Sequence, residues 1–130
     1  MGLRYEWQLP GASDIYALYD HLDWNAYLQL SEEQLFAAMR NSLYSIYVYD
    51  GELLVGTGRI VSDGVISAYL CGVGVHEGYR NRGIGAEVVR LLADRCQRNH
   101  LHLQLFCQET LVPYYEKLNY RVFGVGMRPE

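Results

Sequence analysis

A short, basic, glycine-rich segment in the second half of the chain carries the residues best suited to binding an anion. It runs VGVHEGYRNRGIGA over residues 73–86, from a strand-like stretch into a helical one. A helix N-terminus exposes unpaired N–H groups with partial positive charge, and the missing side chains at Gly83 and Gly85 let a diphosphate approach them. Arg80 and Arg82 can add direct charge. The segment therefore predicts a phosphate-binding loop at the start of a helix.

Two better-known phosphate loops do not match this segment. Residues 78–83 have the Walker A spacing, but Ile-Gly at 84–85 stands where Lys and Ser or Thr are required. The Gly-x-Gly at 83–85 begins a dinucleotide fingerprint, but Val88 replaces its third glycine. What fits is Arg-x-x-Gly-x-Gly over residues 80–85. A glycine-eased helix start that binds no ligand is the alternative interpretation.

The elements that must position this segment follow from the sequence pattern. Apolar runs and turn dipeptides predict six strands, at residues 3–7, 44–49, 53–61, 65–75, 101–107 and 120–125. Helical spacing and capping signals predict four helices, at residues 13–20, 31–40, 83–99 and 110–118. Ser13 and Ser31 are the predicted N-caps of the first two helices, and residues 21–25 are predicted to form a loop. The strand–helix–strand crossover after residue 75 implies a mixed sheet.

Length and composition limit the class of protein. The chain has 130 residues, of which 50% are hydrophobic and 20% charged, as expected for a single folded domain rather than a disordered chain. It has no apolar run long enough to span a bilayer and no signal peptide, and its three cysteines form no CxxC pair, so we expect a cytoplasmic protein without a membrane partner. Its net charge of −4 argues against a nucleic-acid partner.

Charge is divided unevenly along the chain. Residues 1–63 contain nine acidic and three basic side chains, whereas residues 64–130 contain six acidic and eight basic ones. An acidic half beside a basic half suits a cationic substrate that meets an anionic cofactor.

Motif order beyond the glycine-rich segment gives a family resemblance. The Arg-x-x-Gly-x-Gly hexapeptide, the preceding run Val73-Gly74-Val75 and the downstream PYYEKLNY at residues 113–120 together resemble the GNAT superfamily of N-acetyltransferases, which bind acetyl-CoA at that loop. The resemblance implies a single α/β (α+β) domain over residues 1–130. Its mixed sheet of about six strands would have helices on both faces and be splayed at the fourth strand. Residues 44–130 would form the acetyl-CoA-binding core and residues 1–43 a helical substrate-side region.

The resemblance also implies a chemistry, in which a substrate amine attacks the acetyl thioester directly in a ternary complex. A backbone N–H near Val75 would polarise the thioester carbonyl, and Tyr115 would protonate the departing thiolate, although tyrosines in this segment often only pack in a core. Val73 and Val75 would bind the pantetheine arm through their backbone. The full set of cofactor-binding residues that the resemblance implies is Val73, Val75, Arg80, Asn81, Arg82, Gly83, Ile84, Gly85, Ala86 and Gln108.

Glycines in the predicted fourth strand leave two questions open. Gly72 and Gly74 indicate a bulge or the close approach of another group, or they only ease sheet twist. Related sequences often carry Asp where Gly72 stands, so the general base must be another group or water. Four side chains are conceivable, although each is more often a surface residue or a cap: Glu109, Asp23, His21 and His76.

Three function hypotheses follow. The first is an acetyl-CoA-dependent N-acetyltransferase that acts on a small-molecule or peptide amine. The second is a non-catalytic acyl-CoA-binding sensor of the same fold, and the third is an oligomeric structural protein with a vestigial site. No metal is predicted, because the four histidines show no ligand spacing, and the cysteines are expected to be structural. A homodimer is an expectation from similar folds alone.

Overall fold

The computed structural model describes residues 2–130 as a mixed sheet with helices on both faces. In this part of the chain there are five strands: β1 (Leu3–Glu6), β2 (Tyr44–Asp50), β3 (Leu53–Ser62), β4 (Ser67–Val75) and β5 (His102–Leu105). The α-helices are α1 (Ala12–His21), α2 (Trp24–Leu28), α3 (Glu32–Arg40), α4 (Ile84–Arg98) and α5 (Val112–Glu116). Two 3₁₀ turns, Glu77–Tyr79 and Glu109–Leu111, precede α4 and α5.

The strands lie in the sheet in the order in which they occur in the chain, from β1 to β5. The first four are antiparallel neighbours: short turns join β2 to β3 and β3 to β4, whereas α1, α2 and α3 lie between β1 and β2. Strand β5 pairs parallel to β4 after the α4 crossover. The predicted α/β class and mixed sheet are therefore confirmed.

The C-terminal segment differs from the prediction. Residues 120–125 form no strand, and the sheet of the described chain has five strands rather than about six. Val122 and Phe123 are residue types that favour strands, yet they are 65% and 66% exposed. Residue type supplies only strand propensity, whereas a strand also needs a neighbour to which its backbone can hydrogen-bond, and the segment pairs with no strand of the described chain.

Helix starts near the N-terminus follow local signals only in part. Ser31 forms the predicted capping box with Gln34: its hydroxyl accepts from the Gln34 N–H at 3.1 Å, and the Gln34 side chain accepts from the Ser31 N–H at 2.9 Å. Ser13 is not an N-cap, because α1 begins at Ala12 and its N-cap is Gly11, two residues before Ser13. The predicted loop at residues 21–25 contains the beginning of α2.

Two layers of apolar side chains hold the helices on the sheet. Neighbouring residues of β2 point to opposite faces, so Ile46 packs against α4 while the fully buried Tyr47 packs against α1 and α3. The helical region predicted for residues 1–43 therefore covers one face, which we call the α1 face. The face opposite carries α4, whose Val88 and Leu92 are fully buried.

Candidate active site

The centre of the site is a bulge in β4. Thr57 of β3 pairs with Gly74, but Arg59 pairs with Cys71, so two residues of β4 lie opposite a single residue of β3. Gly72 occupies the bulge with a φ of +64°, a left-handed conformation that favours glycine. Of the interpretations left open for this glycine, the bulge is therefore confirmed.

Beyond the bulge, one edge of β4 is open. Pairing with β5 extends only from Ser67 to Leu70, so the sheet is splayed there as expected. The N–H of His76 donates to the carbonyl of Val55 on the β3 side at 2.7 Å. Because alternate residues of a strand direct their backbone groups to opposite sides, Val73 and Val75 present theirs to the open edge. The carbonyl of Val75 accepts a hydrogen bond from Arg80 Nε at 3.0 Å. Because β5 ends before this point, no strand of the described chain pairs with the N–H of Val75.

The start of α4 faces the same region with uncapped amides. Gly83 is the N-cap with a φ of +80° and supplies no capping side chain. The first helical hydrogen bond joins the Glu87 N–H to the Gly83 carbonyl at 3.0 Å, and within residues 2–130 no protein acceptor pairs with the N–H groups of residues 84–86. A Cβ placed on Gly83 would have no atom within 4 Å, so the approach to these amides is open.

The loop before α4 is braced by its own side chains. Tyr79 donates a hydrogen bond to the Asp50 carboxylate at the end of β2, which raises the pKa of Tyr79. Arg82 lies over the Tyr79 ring at 5.0 Å and donates to the Gly78 carbonyl at 3.3 Å. Arg82 is exposed, as are Arg80 and Asn81, and the backbone of Asn81 is left-handed with a φ of +63°.

Two neighbouring tyrosines of α5 approach the site differently. The hydroxyl oxygen of Tyr114 lies 3.1 Å from the point that a Cβ on Gly85 would occupy, which places it at the start of α4. Tyr115 is half-buried, and its ring makes edge-to-face contacts with those of Tyr114 at 5.1 Å and Tyr120 at 5.9 Å. Burial is the main cause that raises the pKa of Tyr115, and the neighbouring Tyr114, Cys107 and Tyr120 raise it further. A raised pKa keeps this phenol protonated.

The approach of Tyr114 to Gly85 was not anticipated from the sequence, which indicated only that residues 113–120 form a helix and its exit. Adjacent helical residues point about 100° apart, so chain position alone gives no preference between the two rings. Gln108, the other predicted cofactor contact on this side, precedes the second 3₁₀ turn and is exposed.

Two of the four conceivable bases come together at the end of β4. The rings of His21 and His76 stack with centroids 3.7 Å apart, and His21 Nε2 lies 3.5 Å from a carboxylate oxygen of Glu77. His76 Nδ1 accepts from the Gly78 N–H at 3.1 Å. Burial lowers the pKa of His76, and the neighbouring His21 lowers it further, so its imidazole is neutral over a wider pH range.

The other two conceivable bases lie apart from this pair. Asp23 is the N-cap of α2, with a left-handed backbone at φ +63°, and Glu109 is an exposed residue of the second 3₁₀ turn. Neither forms an ion pair with another described residue.

Side chains from the N-terminal helices pack against the α1 face of β4 at Gly74. Gly74 is buried, and a Cβ on it would lie 2.5 Å from Trp24 Cη2 and 2.7 Å from Leu22 Cδ1. The Trp24 ring meets the Tyr19 ring edge-on at 5.1 Å. Gly74 therefore leaves room for the close approach of the Trp24 and Leu22 side chains.

Other surface features lie away from this site. A groove of about 560 Å³ is at the far end of α4, lined by Ala93, Gln97, His100, Leu101, His102 and Leu103, and it includes no predicted site residue. Among residues 2–130 there is no cluster of His, Cys, Asp and Glu that could hold a metal ion, and no helix is long and apolar enough to cross a membrane.

Similar folds occur in solved acetyltransferase structures. One is a protein of unknown function from Staphylococcus aureus, described as a probable acetyltransferase (17% identity, TM-score 0.82, covering 99% of each chain). Another is a GNAT family acetyltransferase from Streptococcus pneumoniae (22% identity, TM-score 0.81, covering 99% of this chain and 98% of that one). A third is glucosamine-6-phosphate N-acetyltransferase from Arabidopsis thaliana (14% identity, TM-score 0.75, covering 100% and 99%). At these identities the likeness establishes the fold. No curated protein matches the sequence.

The sequence itself matches a family model over most of its length. The model describes the acetyltransferase (GNAT) family and aligns with residues 6–120, which include the splayed strand, the glycine-rich loop and both tyrosines of α5. The resemblance inferred from the motifs is confirmed: the chain belongs to the GNAT family of acetyltransferases.

Proposed function

We propose that this protein transfers the acetyl group of acetyl-CoA to a primary amine of a small molecule or peptide. The observation that carries the proposal is the uncapped start of α4 beside the open edge of β4. Family membership supports acyltransferase activity, and these two features give an anionic, thioester-bearing co-substrate a place to bind.

The start of α4 would hold the diphosphate of the co-substrate. The N–H groups of residues 84–86 have no protein acceptor in the described chain, and they carry the positive end of the helix dipole. Gly83 leaves open space above them. Arg82 and Asn81 are exposed on the loop and add charge and donors at its rim, while Gln108 would contact the molecule from the other side.

The open edge of β4 would hold the pantetheine arm and the thioester. Val73 and Val75 direct backbone groups to that edge, with the Val75 carbonyl already held by Arg80. The free N–H of Val75 can therefore donate to the thioester oxygen and stabilise the negative charge that develops on it during attack. Binding both reactants in line at this edge supplies much of the catalysis through positioning.

Tyr115 would act as the general acid. When the amine attacks the carbonyl carbon, the C–S bond breaks and the leaving thiolate needs a proton. Burial and three neighbours raise the pKa of Tyr115, so its hydroxyl carries that proton at neutral pH. The amine loses its own proton to water or to a side chain such as His76, whose lowered pKa keeps it neutral.

A matched pair of substitutions tests the diphosphate site. Gly85→Gln and Gly85→Glu add the same bulk at a half-buried position facing Tyr114, and they differ only in charge. By calorimetry, we expect Gly85→Glu to weaken acetyl-CoA binding about tenfold or more beyond Gly85→Gln, because it sets a carboxylate against the diphosphate. Equal affinities for the two variants would contradict the proposed site.

A thiol-release assay over a panel of polyamines, arylalkylamines, aminoglycosides and peptides then separates the enzyme from a sensor. Acetyl-dependent thiol release with any of these amines supports the transferase. Saturable acetyl-CoA binding without release from any amine supports the second candidate, a non-catalytic acyl-CoA sensor, which is favoured by the glycine at position 72 where a general base is often found.

A further inference from the structure

Arg59 is a half-buried cation without a counter-ion. It lies on β3, paired with Cys71 of β4 directly before the bulge, and it is the only Lys or Arg between Arg40 and Arg80. Among the described residues no carboxylate lies within 4.0 Å of its guanidinium. Taking a guanidinium partly out of water without a compensating charge costs free energy, so such a group needs an explanation.

Its hydrogen-bonding capacity is also largely unused. The guanidinium has five N–H donors. One contact is with the Tyr19 hydroxyl, where hydrogen bonding opposes the rise in the pKa of that phenol, and another is a long hydrogen bond from Nη1 to Ser42 Oγ at 3.4 Å. The Nε atom is fully buried and has no partner among residues 2–130. Most buried polar groups in folded proteins have a hydrogen-bond partner, so a buried Nε without one indicates that a ligand could supply it.

The surroundings of Arg59 contribute hydroxyls and no negative charge. Tyr19 Oη and Arg59 Nε each lie 3.3 Å from the point that a Cβ on Gly72 would occupy, so both groups converge on the bulge. The hydroxyl of Tyr47 is buried and likewise has no partner. Burial raises the pKa of Tyr47 to about 12, and Arg59 opposes that rise, as it does for Tyr19 and Cys71. Arg59 is the one ion that acts on all three groups.

The location of this cluster matches the acceptor side of the proposed reaction. The diphosphate would bind at α4, on one face of the sheet, so the amine would reach the thioester from the α1 face, past the side chains of Leu22 and Trp24 that pack on Gly74. Arg59 is on that face, since it pairs across the strands with Ser45 and Cys71, on the same side as the Tyr47 side chain. About 7–13 Å of strand separates Cys71 from Val73 and Val75. The side chain of Arg59 and an amino acid can span that distance together.

We propose that Arg59, assisted by Tyr19, binds a carboxylate of the acceptor, so that the acceptor is an amino acid or another amine that carries a carboxylate. A planar guanidinium offers paired donors that match the two oxygens of a carboxylate. This inference rests on the proposed acetyl transfer. It also narrows the substrate class, because the acidic composition of residues 1–63 by itself suits any cationic or amine-bearing acceptor.

Paired acceptors test the inference. Thiol release is measured with the twenty free amino acids and with their amides, which keep the amine and lose the negative charge. The wild-type protein should have a kcat/KM for an accepted amino acid about tenfold or more above that for its amide, with the difference mainly in KM. Arg59→Met should abolish the difference and Arg59→Lys should retain part of it. Acetyl-CoA affinity should be unchanged in both variants.

The matched control is Arg98→Met, which removes an exposed arginine paired with Asp94 on α4 and should leave both acceptors unaffected. Equal wild-type kcat/KM for acid and amide overturns the inference, and so does a loss in Arg59→Met that is the same for both acceptors. Thiol release from carboxylate-free amines alone overturns this inference and leaves acetyl transfer standing. The absence of acetyl-CoA binding in the wild-type protein overturns the proposed function itself.

Discussion

Trp24 of α2 lies directly over Gly74 of β4, so closely that a Cβ on the glycine would stand 2.5 Å from Trp24 Cη2. This contact joins the N-terminal helices to the strand that forms the open edge. Gly74 is next to Val73 and Val75, whose backbone groups line that edge, so the tryptophan fixes the strand at the point where the reaction is proposed to occur.

Gly74→Ala tests this relationship. A methyl group there would overlap the ring of Trp24 and the side chain of Leu22, so both side chains would have to shift. We expect the free energy of unfolding to fall by about 1–3 kcal/mol, as is typical of overpacking. Chemical denaturation measures this change. Gly124→Ala is the control, because a Cβ at that position meets no atom within 4 Å, and an equal loss in both variants would contradict the account.

Tyr115→Phe tests the general acid. If the hydroxyl protonates the leaving thiolate, its removal should lower turnover by about 10²-fold or more, while acetyl-CoA affinity is unchanged. Tyr114→Phe removes the neighbouring hydroxyl, which lies at the start of α4, and should alter affinity rather than turnover. Steady-state kinetics combined with calorimetry separates the two effects. Unchanged turnover in Tyr115→Phe would remove this residue from the mechanism.

The pKa of His76 is expected to be below its ordinary value of 6.5. Burial lowers it most, His21 and Arg80 lower it further, and Glu77 raises it. His21→Gln should therefore raise the pKa of His76, and Glu77→Gln should lower it, as measured by NMR titration of the imidazole resonances. A shift of the opposite sign in either variant would contradict the stacked arrangement at the end of β4.

The same shift predicts a direction for stability. The folded state holds the His76 proton less tightly than the unfolded state does. The stabilisation of the fold by neutral His76 is therefore complete above about pH 6.5 and is lost as the pH falls below that value. His76 is only partly buried, so the effect on unfolding should be small. Comparing wild-type protein with His76→Gln between pH 5 and about pH 8 isolates it.

Local signals in the sequence predicted those elements whose cause is local. The capping box at Ser31, the β2–β3 hairpin and the glycine start of α4 each depend on residues within a few positions of one another, and all three are present. The bulge at Gly72 belongs with them, since a glycine inside a strand already indicated an irregularity there.

The remaining features depend on partners outside the segment in which they occur. The short helix α2 is stabilised by the Asn25 side chain, whose amide group donates to the Leu30 carbonyl at 3.0 Å and accepts from the Leu30 N–H at 2.9 Å. Nothing in residues 21–25 indicates that pairing. The strand expected at residues 120–125 has residues that favour strands but pairs with no strand of the described chain, and a neighbour is a property of the whole sheet.

The candidate site also contains features that the sequence predicts and features that it does not. The glycine-rich loop was predictable because the peptide backbone itself supplies the ligand-binding groups. The orphaned guanidinium of Arg59 and the hydroxyl of Tyr114 were not predictable, because their roles come from neighbours on other elements.

Both Ser31 and Ser13 were predicted to be helix N-caps, and only Ser31 is one. Ser31→Ala removes a hydroxyl that accepts from the Gln34 N–H, and it should lower the free energy of unfolding by about 0.5–2 kcal/mol. Ser13→Ala should change it by no more than about 0.5 kcal/mol, because Ser13 is an exposed residue inside the first turn of α1 and caps nothing. Urea denaturation measures both changes. A larger loss of unfolding free energy in Ser13→Ala than in Ser31→Ala would contradict the start of α1 at Ala12.

The amide hydrogens at the start of α4 give the most direct test of the account. ¹⁵N-labelled protein is titrated with CoA, and backbone amide shifts are followed across the chain. The largest saturable shifts should occur at Ile84, Gly85 and Ala86, with further shifts at Val73 and Val75 along the open edge of β4. Saturable shifts confined to other surfaces, such as the groove lined by His100 to Leu103 at the far end of α4, would contradict it, as would the absence of saturable binding.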